Sequence, residues 1–446
     1  MFETVLVANR GEIARRIIRS IQSMGIKAVA VHSEADARAP HVREADEAIL
    51  IGPPPPAQSY LDGVRLIEAA RTSGAQAIHP GYGFLAENAD FARAVEAAGL
   101  TWIGPPADAI VAMGDKINAR NLMEAAGVPV APGTAEPLAD VELAVAAAER
   151  IGYPVMVKAA AGGGGIGMGV AEDEAQLRKA FETARTRAER FFGDPAILLE
   201  RYLPNSRHVE IQILGLADGR VIALGERDCS VQRRHQKVAE ESPSPGVGDA
   251  LRARMIAAAV RAGEAVGYRN AGTVECLVSG SDFVFLEMNA RLQVEHPVTE
   301  LVTGLDLVAE QIRIAAGEDV SFDPGSVRTR GHAIELRVYA EDPVRFLPGP
   351  GAITTWREPI GEGIRIDSGY AEGDTVTPFY DPLMAKLCAW APDRAGAIER
   401  LRGAVADFAI EGPKHNLPFF TELLANSEFI SGNYDTGLIE RMRAKP

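Results

Sequence analysis

The sequence predicts a multidomain protein that begins α/β and continues α+β, and three observations carry that expectation. From residue 1 to about 113, apolar β-branched runs alternate with segments of helical periodicity, the pattern of parallel strands joined by helices. After Gly127-Val128-Pro129-Val130-Ala131-Pro132-Gly133 the composition shifts to a smaller unit built from a strand, a glycine loop and a returning strand. Beyond residue 204, polar and apolar residues alternate in long runs, which reads as a strand-rich region. A length of 446 residues, 47% hydrophobic and 24% charged, supplies a large core and room for about two to four domains.

Composition also excludes. A net charge of −15 opposes nucleic acid and anionic membranes, so clustered cations are read as a small-anion site. Cys229, Cys276 and Cys388 lie far apart without CxxC spacing, which suggests neither a disulfide framework nor a zinc site. No apolar run approaches about 18 residues, and Met1-Phe2-Glu3-Thr4-Val5-Leu6-Val7 enters a strand without a basic and then apolar leader. The expectation is a cytoplasmic protein without nucleic-acid or membrane partners.

In chain order, Thr4-Val5-Leu6-Val7 is the first strand and Asn9-Arg10-Gly11-Glu12 a turn. Ile13, Ile17, Ile18 and Ile21 then recur at helical spacing before a second strand, Lys27 to His32. This βαβ start is Rossmann-like but lacks a glycine fingerprint after its first strand, which argues against a nicotinamide cofactor. Further strands are expected at Ala48 to Ile51, Ala75 to His79 and Thr101 to Gly104, with helices near Leu61 to Thr72 and Asp90 to Ala98. His79-Pro80-Gly81-Tyr82-Gly83-Phe84 follows a strand's C-terminal end, where open α/β sheets place ligands, so Tyr82 is either a pocket wall or part of a rigid turn. A helical connector from Ala107 to Ala126 carries Lys116, by itself an ordinary surface lysine.

Pro154-Val155-Met156-Val157-Lys158 reads as a strand, Gly162-Gly163-Gly164-Gly165-Ile166-Gly167 as a loop, and Met168 to Ala171 as a returning strand. A helix from about Asp173 to Arg190 and a strand from Ile197 to Leu203 complete the unit. The loop matches GxGxxG in form, yet a dinucleotide fingerprint opens a helix and no GK[ST] follows, so neither that site nor a P-loop is expected. Glycines between strands instead let backbone N–H groups approach a phosphate, and Lys158 shortly before them favours a mobile phosphate lid over an idle hairpin.

Further on, His208 to Leu214 and Arg220 to Leu224 alternate as strands do, and Glu226 to Lys237 gathers five basic residues within eleven positions, an anion contact or an exposed ribbon. Thr273 to Val278 and Phe283 to Glu287 flank Ser279-Gly280-Ser281-Asp282 as a hairpin. A three-residue turn, Gly280 to Asp282, would set Glu275 opposite Glu287 on one face; a two-residue turn would separate their faces. Facing carboxylates repel unless a cation lies between them, and hard oxygen ligands near phosphate suit Mg²⁺ or Mn²⁺ rather than zinc. Asn289, two residues beyond Glu287, would share that face.

The segment from Glu287 to Glu295 thus packs two acids, an amide and a guanidinium behind a strand, as a joint metal, anion and base site requires; charges facing water are the alternative. On the later strand His332 to Ala340, Glu335 and Arg337 fall on the face away from the core, where a surface ion pair is the ordinary outcome. The remainder, with an alternating run from Thr375 to Tyr380 and a helix near Arg394 to Phe408, reads as structural.

Taken together, Asn9-Arg10-Gly11-Glu12, His79 to Asn88, Met113 to Lys116, the glycine loop, Glu226 to Lys237 and Glu287 to Glu300 resemble biotin carboxylase, an ATP-grasp family, and the resemblance runs from residue 1 to nearly residue 446. It implies a Rossmann-like N-terminal domain over 1–113, an ATP-grasp domain over 114–317 with a mobile glycine-rich lid at 131–203, and a strand-rich C-terminal domain over 318–446. It implies a ligase in which ATP and bicarbonate form carboxyphosphate and the carboxyl group passes to N1′ of biotin on a carrier protein. That is the first half-reaction of a biotin-dependent carboxylase of acetyl-CoA or another acyl-CoA. A carboxyltransferase subunit, a homodimer, a place in fatty acid biosynthesis, and two Mg²⁺ (or Mn²⁺) ions with ATP belong to the same implication.

By position, the resemblance assigns the ATP phosphates to Lys116 and Lys158 with lid backbone at Gly164 and Gly165, and adenine to Glu200, Arg201, Tyr202 and Leu203. Further nucleotide contacts fall to His208, Gln232, His235 and Leu277. Metal is assigned to Glu275 and Glu287 with Asn289 close by, bicarbonate to Lys237, Arg291, Gln293, Val294 and Glu295, and biotin to Tyr82 and Arg337. Glu295 would be the general base, and Arg337 would stabilise the enolate-like ureido oxygen. Two departures stand out. Ile166 and Gly169 replace the basic residues of the family's GGRGMR lid, and no biotinyl-lysine sequence of the Met-Lys-Met type occurs, so biotin is expected from another polypeptide or from a portion outside this sequence. The alternatives are the biotin carboxylase component of a pyruvate or urea carboxylase, another ATP-grasp carboxylate–amine ligase, and a non-catalytic nucleotide-binding subunit.

Overall fold

The computed structural model describes residues 1–160 and 168–444, so the lid glycines Gly164 and Gly165 and the departure at Ile166 lie outside the described residues. Five strands, β1 (Thr4–Val7), β2 (Lys27–Ser33), β3 (Glu47–Gly52), β4 (Ala77–His79) and β5 (Thr101–Trp102), form a parallel sheet in the order β3-β2-β1-β4-β5. The helix Gly11–Ser23 crosses from β1 to β2 and buries Ile13, Ile17, Ile18 and Ile21, the stripe that helical spacing foretold. Each such side chain contributes about 1.5–3 kcal/mol by leaving water. The strand order reverses between β1 and β4, where a crevice forms for ligands. There Asn9 Nδ2 donates to Pro80 O at 2.7 Å and Tyr82 O at 2.8 Å, which pins the turn after β4 to the turn after β1.

The expected single connector helix is two helices, Ala107–Gly114 and Lys116–Ala125. Asp115 leaves helical conformation between them, and its side chain accepts from Ile117 N and Asn118 N, both at 2.9 Å, as an N-cap. Lys116 is therefore the first residue of a helix, where the orphan N–H groups favour anions. Next, β6 (Val155–Ala159), β7 (Gly169–Ala171) and β8 (Ile197–Arg201) form a small antiparallel sheet in the order β7-β6-β8. The helices Val141–Ile151 and Glu174–Phe192 close its core over Val155, Val157, Leu177, Phe181 and Leu199.

A long antiparallel run of strands follows: β9 (Arg207–Gly215), β10 (Val221–Arg233), β11 (Gln236–Ser242), β12 (Asn270–Ser279), β13 (Asp282–Asn289) and β14 (His332–Tyr339). After the short β15 (Gly351–Ala352) and β16 (Thr355–Arg357) come β17 (Ile364–Ser368), the two-residue β18 (Thr375–Val376) and β19 (Leu383–Ala391). Eight of these make one sheet, β13-β12-β9-β10-β11-β14-β19-β17, which is continuous across residue 318 because β11 pairs with β14. The alternating run Thr375 to Tyr380 yields only β18, paired with β15.

The end of β17 reaches back to the N-terminal sheet. A Cβ on Gly369 would lie 2.7 Å from Glu12 N and 3.1 Å from Gly11 C, so only glycine allows this approach of two backbones. Gly369→Ala is expected to lower stability by about 1–3 kcal/mol, read as a reduced Tm; an unchanged Tm would mean that the two surfaces are not closely docked.

Candidate active site

Direct cross-strand partners share a face of a sheet. On β13, β12, β9 and β10 the partners Glu287, Glu275, Glu210 and Arg227 form one row, and Asn289, Thr273 and Gln212 form the next. On β14, β19 and β17 another row runs Arg337, Lys386, Asp367. The opposite face is apolar: Ile211, Ile213 and Val274 enter one core, and Ile334, Leu336 and Val338 another. Alternation thus delivers charge to one face, as expected, but that face is not wet. Glu210, Arg227 and Glu335 are fully buried and Arg337 is 8% exposed, which corrects the expectation of a surface ion pair at Glu335 and Arg337. Charges can stay dry here because they neutralise one another.

The hairpin pairs Glu275 with Glu287 as expected, but by a different turn. Ser279 pairs with Asp282, which leaves a two-residue turn, and Cys276 pairs with Phe285. That register alone would send the two acids to opposite faces. A bulge between Glu275 and Cys276 makes Leu286 the extra residue and brings Glu287 across from Glu275.

Lys237 Nζ sits among three carboxylates, 2.6 Å from Glu210 Oε2, 2.8 Å from Glu275 Oε1 and 2.6 Å from Glu295 Oε1. Arg337 Nη2 lies 2.8 Å from Glu295 Oε2 and 2.6 Å from Glu240 Oε1. Arg227 Nε donates to Glu210 Oε1 at 2.6 Å. Burial pushes the Glu295 carboxyl up, but Lys237, Arg337 and Arg227 together outweigh it and hold the group well below the usual carboxylate range. Burial lowers the Lys237 ammonium, and its three acids overcome that and raise it. Glu240, with Arg337 opposed by burial and by Glu295, is raised to about 7.

At the hairpin, burial works against the Glu275 anion, yet Lys237 and His208 hold it below the usual range; His208 Nε2 is 3.0 Å from Glu275 Oε2. Glu287 moves up, through burial and then the neighbouring Glu275, with Lys116 only partly offsetting them. Asn289 Nδ2 and Gln293 Nε2 donate to Glu275 Oε1 at 2.9 Å and 3.2 Å. Arg291 does not bond Glu295. Its Nε donates to Glu87 Oε2 at 2.8 Å, its Nη1 to Gln293 Oε1 at 2.6 Å and its Nη2 to Asn289 Oδ1 at 3.1 Å, while Ala290 N donates to Glu87 Oε1 at 3.0 Å.

Toward the small sheet, Lys158 on β6 bonds Glu200 on β8, and burial lowers the Lys116 ammonium against the pull of Glu287. Arg201 N donates to Pro132 O at 2.7 Å and Tyr202 N to Pro154 O at 3.0 Å, so the segment leading to Leu203 is tied at its backbone. Leu277 is the partner of His208 across β12 and β9. Gln232 Nε2 donates to Cys229 O at 3.3 Å. The β10–β11 turn is Arg234-His235, both left-handed (φ 50° and 68°), a conformation that favours glycine or asparagine and is found here on two large side chains beside the site. At the other end, the Tyr82 hydroxyl bonds Glu12.

Models of known families match this chain in three stretches: the biotin carboxylase N-terminal domain over residues 1–110, the ATP-binding domain of the carbamoyl-phosphate synthase L chain over 115–322, and the biotin carboxylase C-terminal domain over 335–441. A biotin carboxylase of Halalkalibacterium halodurans is 53% identical over 440 residues, 98% of this chain and 97% of that protein. The chain belongs to the biotin carboxylase family. Among solved structures, a biotin carboxylase–βγ-ATP complex from Campylobacter jejuni matches with a TM-score of 0.96 at 44% identity, covering 99% of both chains. The biotin carboxylase domain dimer of a Hydrogenobacter thermophilus 2-oxoglutarate carboxylase, in complex with MgADP, ADP and bicarbonate, matches at 0.95 and 45%, covering 99% of this chain and 98% of that one.

A biotin carboxylase is an ATP-dependent ligase, and the fold of this one is the expected multidomain ATP-grasp arrangement. Sequence reasoning assigned no site role to Glu12, Glu87, Glu210, Glu240 or Lys386, and reached Arg227 only as one of the five basic residues in the run Glu226 to Lys237. Glu210 lies on the polar face of the His208 to Leu214 alternation, which was a usable signal. Lys386, a single cation inside the apolar run Leu383–Ala391, was another. Among the described residues, no helix is long and apolar enough to cross a membrane.

Proposed function

We propose that this biotin carboxylase carries out ATP-dependent carboxylation of biotin on a carrier protein, through carboxyphosphate, on the charged face of the large sheet. The observation that carries the reading is Glu295, a fully buried carboxylate kept ionised between Lys237 and Arg337. Bicarbonate is a poor nucleophile until it loses its proton, so an anion holder must stand beside a base. Lys237 and Arg291, with Gln293 and Val294, hold bicarbonate, and Glu295 takes its proton. The arriving anion draws Lys237 away from Glu295 and adds negative charge, which raises the proton affinity of Glu295 at the moment it is needed.

The bicarbonate oxygen then attacks the γ-phosphorus and ADP leaves. Lys116 at its helix N-terminus and Lys158 neutralise charge on the transferred phosphoryl group; the lid contacts expected at Gly164 and Gly165 lie outside the described residues. The base sits in the hinge Glu200 to Leu203, with His208, Gln232, His235 and Leu277 as further nucleotide contacts. Glu275, Glu287 and Asn289 offer hard oxygen donors on one face, and the repulsion between the two acids fits a divalent cation; Mg²⁺ or Mn²⁺ held there would neutralise phosphate charge. Carboxyphosphate breaks to CO₂ and phosphate, phosphate takes the N1′ proton, and N1′ attacks CO₂. Arg337 stabilises the developing ureido oxygen, with Tyr82 against the biotin ring.

The enzyme works in the cytoplasm as a homodimer with a biotinylated carrier and a carboxyltransferase. The leading acceptor is acetyl-CoA or another acyl-CoA, in fatty acid biosynthesis, and pyruvate or urea is the alternative. The acceptor meets the transferase and not this site, so the transferase that co-purifies decides it. ADP release by the purified protein is expected to require bicarbonate, to rise with biotin and to stop on chelation of Mg²⁺. Protein that binds MgATP yet shows no such release would defeat the reading, and release driven by another carboxylic acid with an amine would favour a different ligase.

A further inference from the structure

The charged face continues past Arg337. Lys386, its direct partner on β19, is fully buried in an otherwise apolar strand, and a buried ammonium persists only with anionic partners. Lys386 Nζ lies 3.0 Å from Glu12 Oε2 and 3.9 Å from Asp367 Oδ2, and donates to Val294 O at 3.0 Å. The other oxygen of Glu12 accepts from the Tyr82 hydroxyl, and Lys386 Nζ is 6.0 Å from the Tyr82 ring centroid. One ammonium therefore joins the first turn of the helix after β1, through Glu12 the turn after β4, and the residue next to Glu295.

We propose that Lys386 is a positioning residue for the biotin end of the site: through Glu12 it sets Tyr82, and through the Val294 carbonyl it keeps Tyr82 in register with the loop that carries Glu295. This rests on the function proposed above. Glu12 already stands at about 7, raised by burial and by Asp367 against Lys386 and Arg365. Without Lys386 it would be a neutral acid with a proton of its own to place, and no longer a fixed acceptor for Tyr82. A lysine present only for stability would change thermal stability and every kinetic constant together.

The test compares Lys386→Met and Glu12→Gln with the unaltered protein, using free biotin, ATP and bicarbonate. Each variant is expected to raise KM for biotin about tenfold or more, while KM for ATP in biotin-independent ATP cleavage stays within about twofold. On a Tyr82→Phe background, where the route is already cut, either change is expected to add less than about twofold to KM for biotin. Glu12→Gln, which keeps the volume and an acceptor, carries the test if Lys386→Met does not fold. Unchanged KM for biotin, parallel loss in both activities, or full additivity with Tyr82→Phe each overturns the proposal. An unaltered protein without biotin-stimulated ADP release overturns the functional reading and this proposal with it, whereas normal release beside indifferent variants overturns this proposal alone.

Discussion

Glu295→Gln is expected to lower bicarbonate-dependent ATP cleavage about 10²–10⁴-fold, the contribution of a positioned general base, while ATP still binds. Glutamine keeps the side-chain volume and one acceptor oxygen but cannot take a proton at neutral pH. The fold should survive, because Lys237 keeps Glu210 and Glu275 and Arg337 keeps Glu240 as counter-charges. In the free enzyme the folded-state pKa of Glu295 is depressed by Lys237, Arg337 and Arg227. Its stabilising contribution is therefore present above the ordinary carboxylate value and is lost only as pH falls through the depressed one. In the proposed reaction bound bicarbonate shares Lys237 and adds a negative charge, and both effects move Glu295 upward. The acid limb of kcat should consequently lie at higher pH than the acid limb of kcat/KM for bicarbonate. Coincident limbs would show that Lys237 is not shared, and a Glu295→Gln variant retaining more than about a tenth of the wild-type rate would remove Glu295 from the role of base.

Much of this site was legible because strand alternation is local. The period of two put Glu287 and Asn289 on one face of β13 and Arg337 opposite the apolar side of β14, and the structure has them so. Two things were not legible, for different reasons. The facing of Glu275 and Glu287 was left to the turn length, and with a two-residue turn it comes from a bulge at Leu286 that shifts the register by one; a bulge leaves no mark in hydrophobic spacing. Burial of the charged face was missed because alternation reports which residues share a face and says nothing of what covers it. That cover comes from far along the chain: Glu87 meets Ala290 and Arg291 from about 200 positions away, and Lys386 meets Val294 from 92. The helix break at Asp115 was readable in principle, since an aspartate directly before a helical run is a standard N-cap.

Arg337→Ala should reduce biotin carboxylation about 10²–10³-fold, as removal of one preorganised oxyanion donor does, and reduce ATP cleavage by less. The division is unequal because Arg337 touches the base and the biotin end differently. Toward biotin its proposed role is that of the cation for the developing ureido oxygen. Toward bicarbonate it is one of three cations on Glu295, and Lys237 and Arg227 remain after its loss. ATP cleavage therefore persists, but with less depression of Glu295, so its acid limb shifts to higher pH. Stability should fall as well, by about 3–5 kcal/mol, because one partner of a buried ion pair is removed. Glu240, already raised to about 7 with Arg337 present, then goes higher still and is neutral at physiological pH, which relieves part of that cost. The destabilisation should consequently be greater above pH 7, where Glu240 must ionise without its guanidinium, than below it. Equal loss of the two activities with no shift of the acid limb would remove Arg337 from both roles.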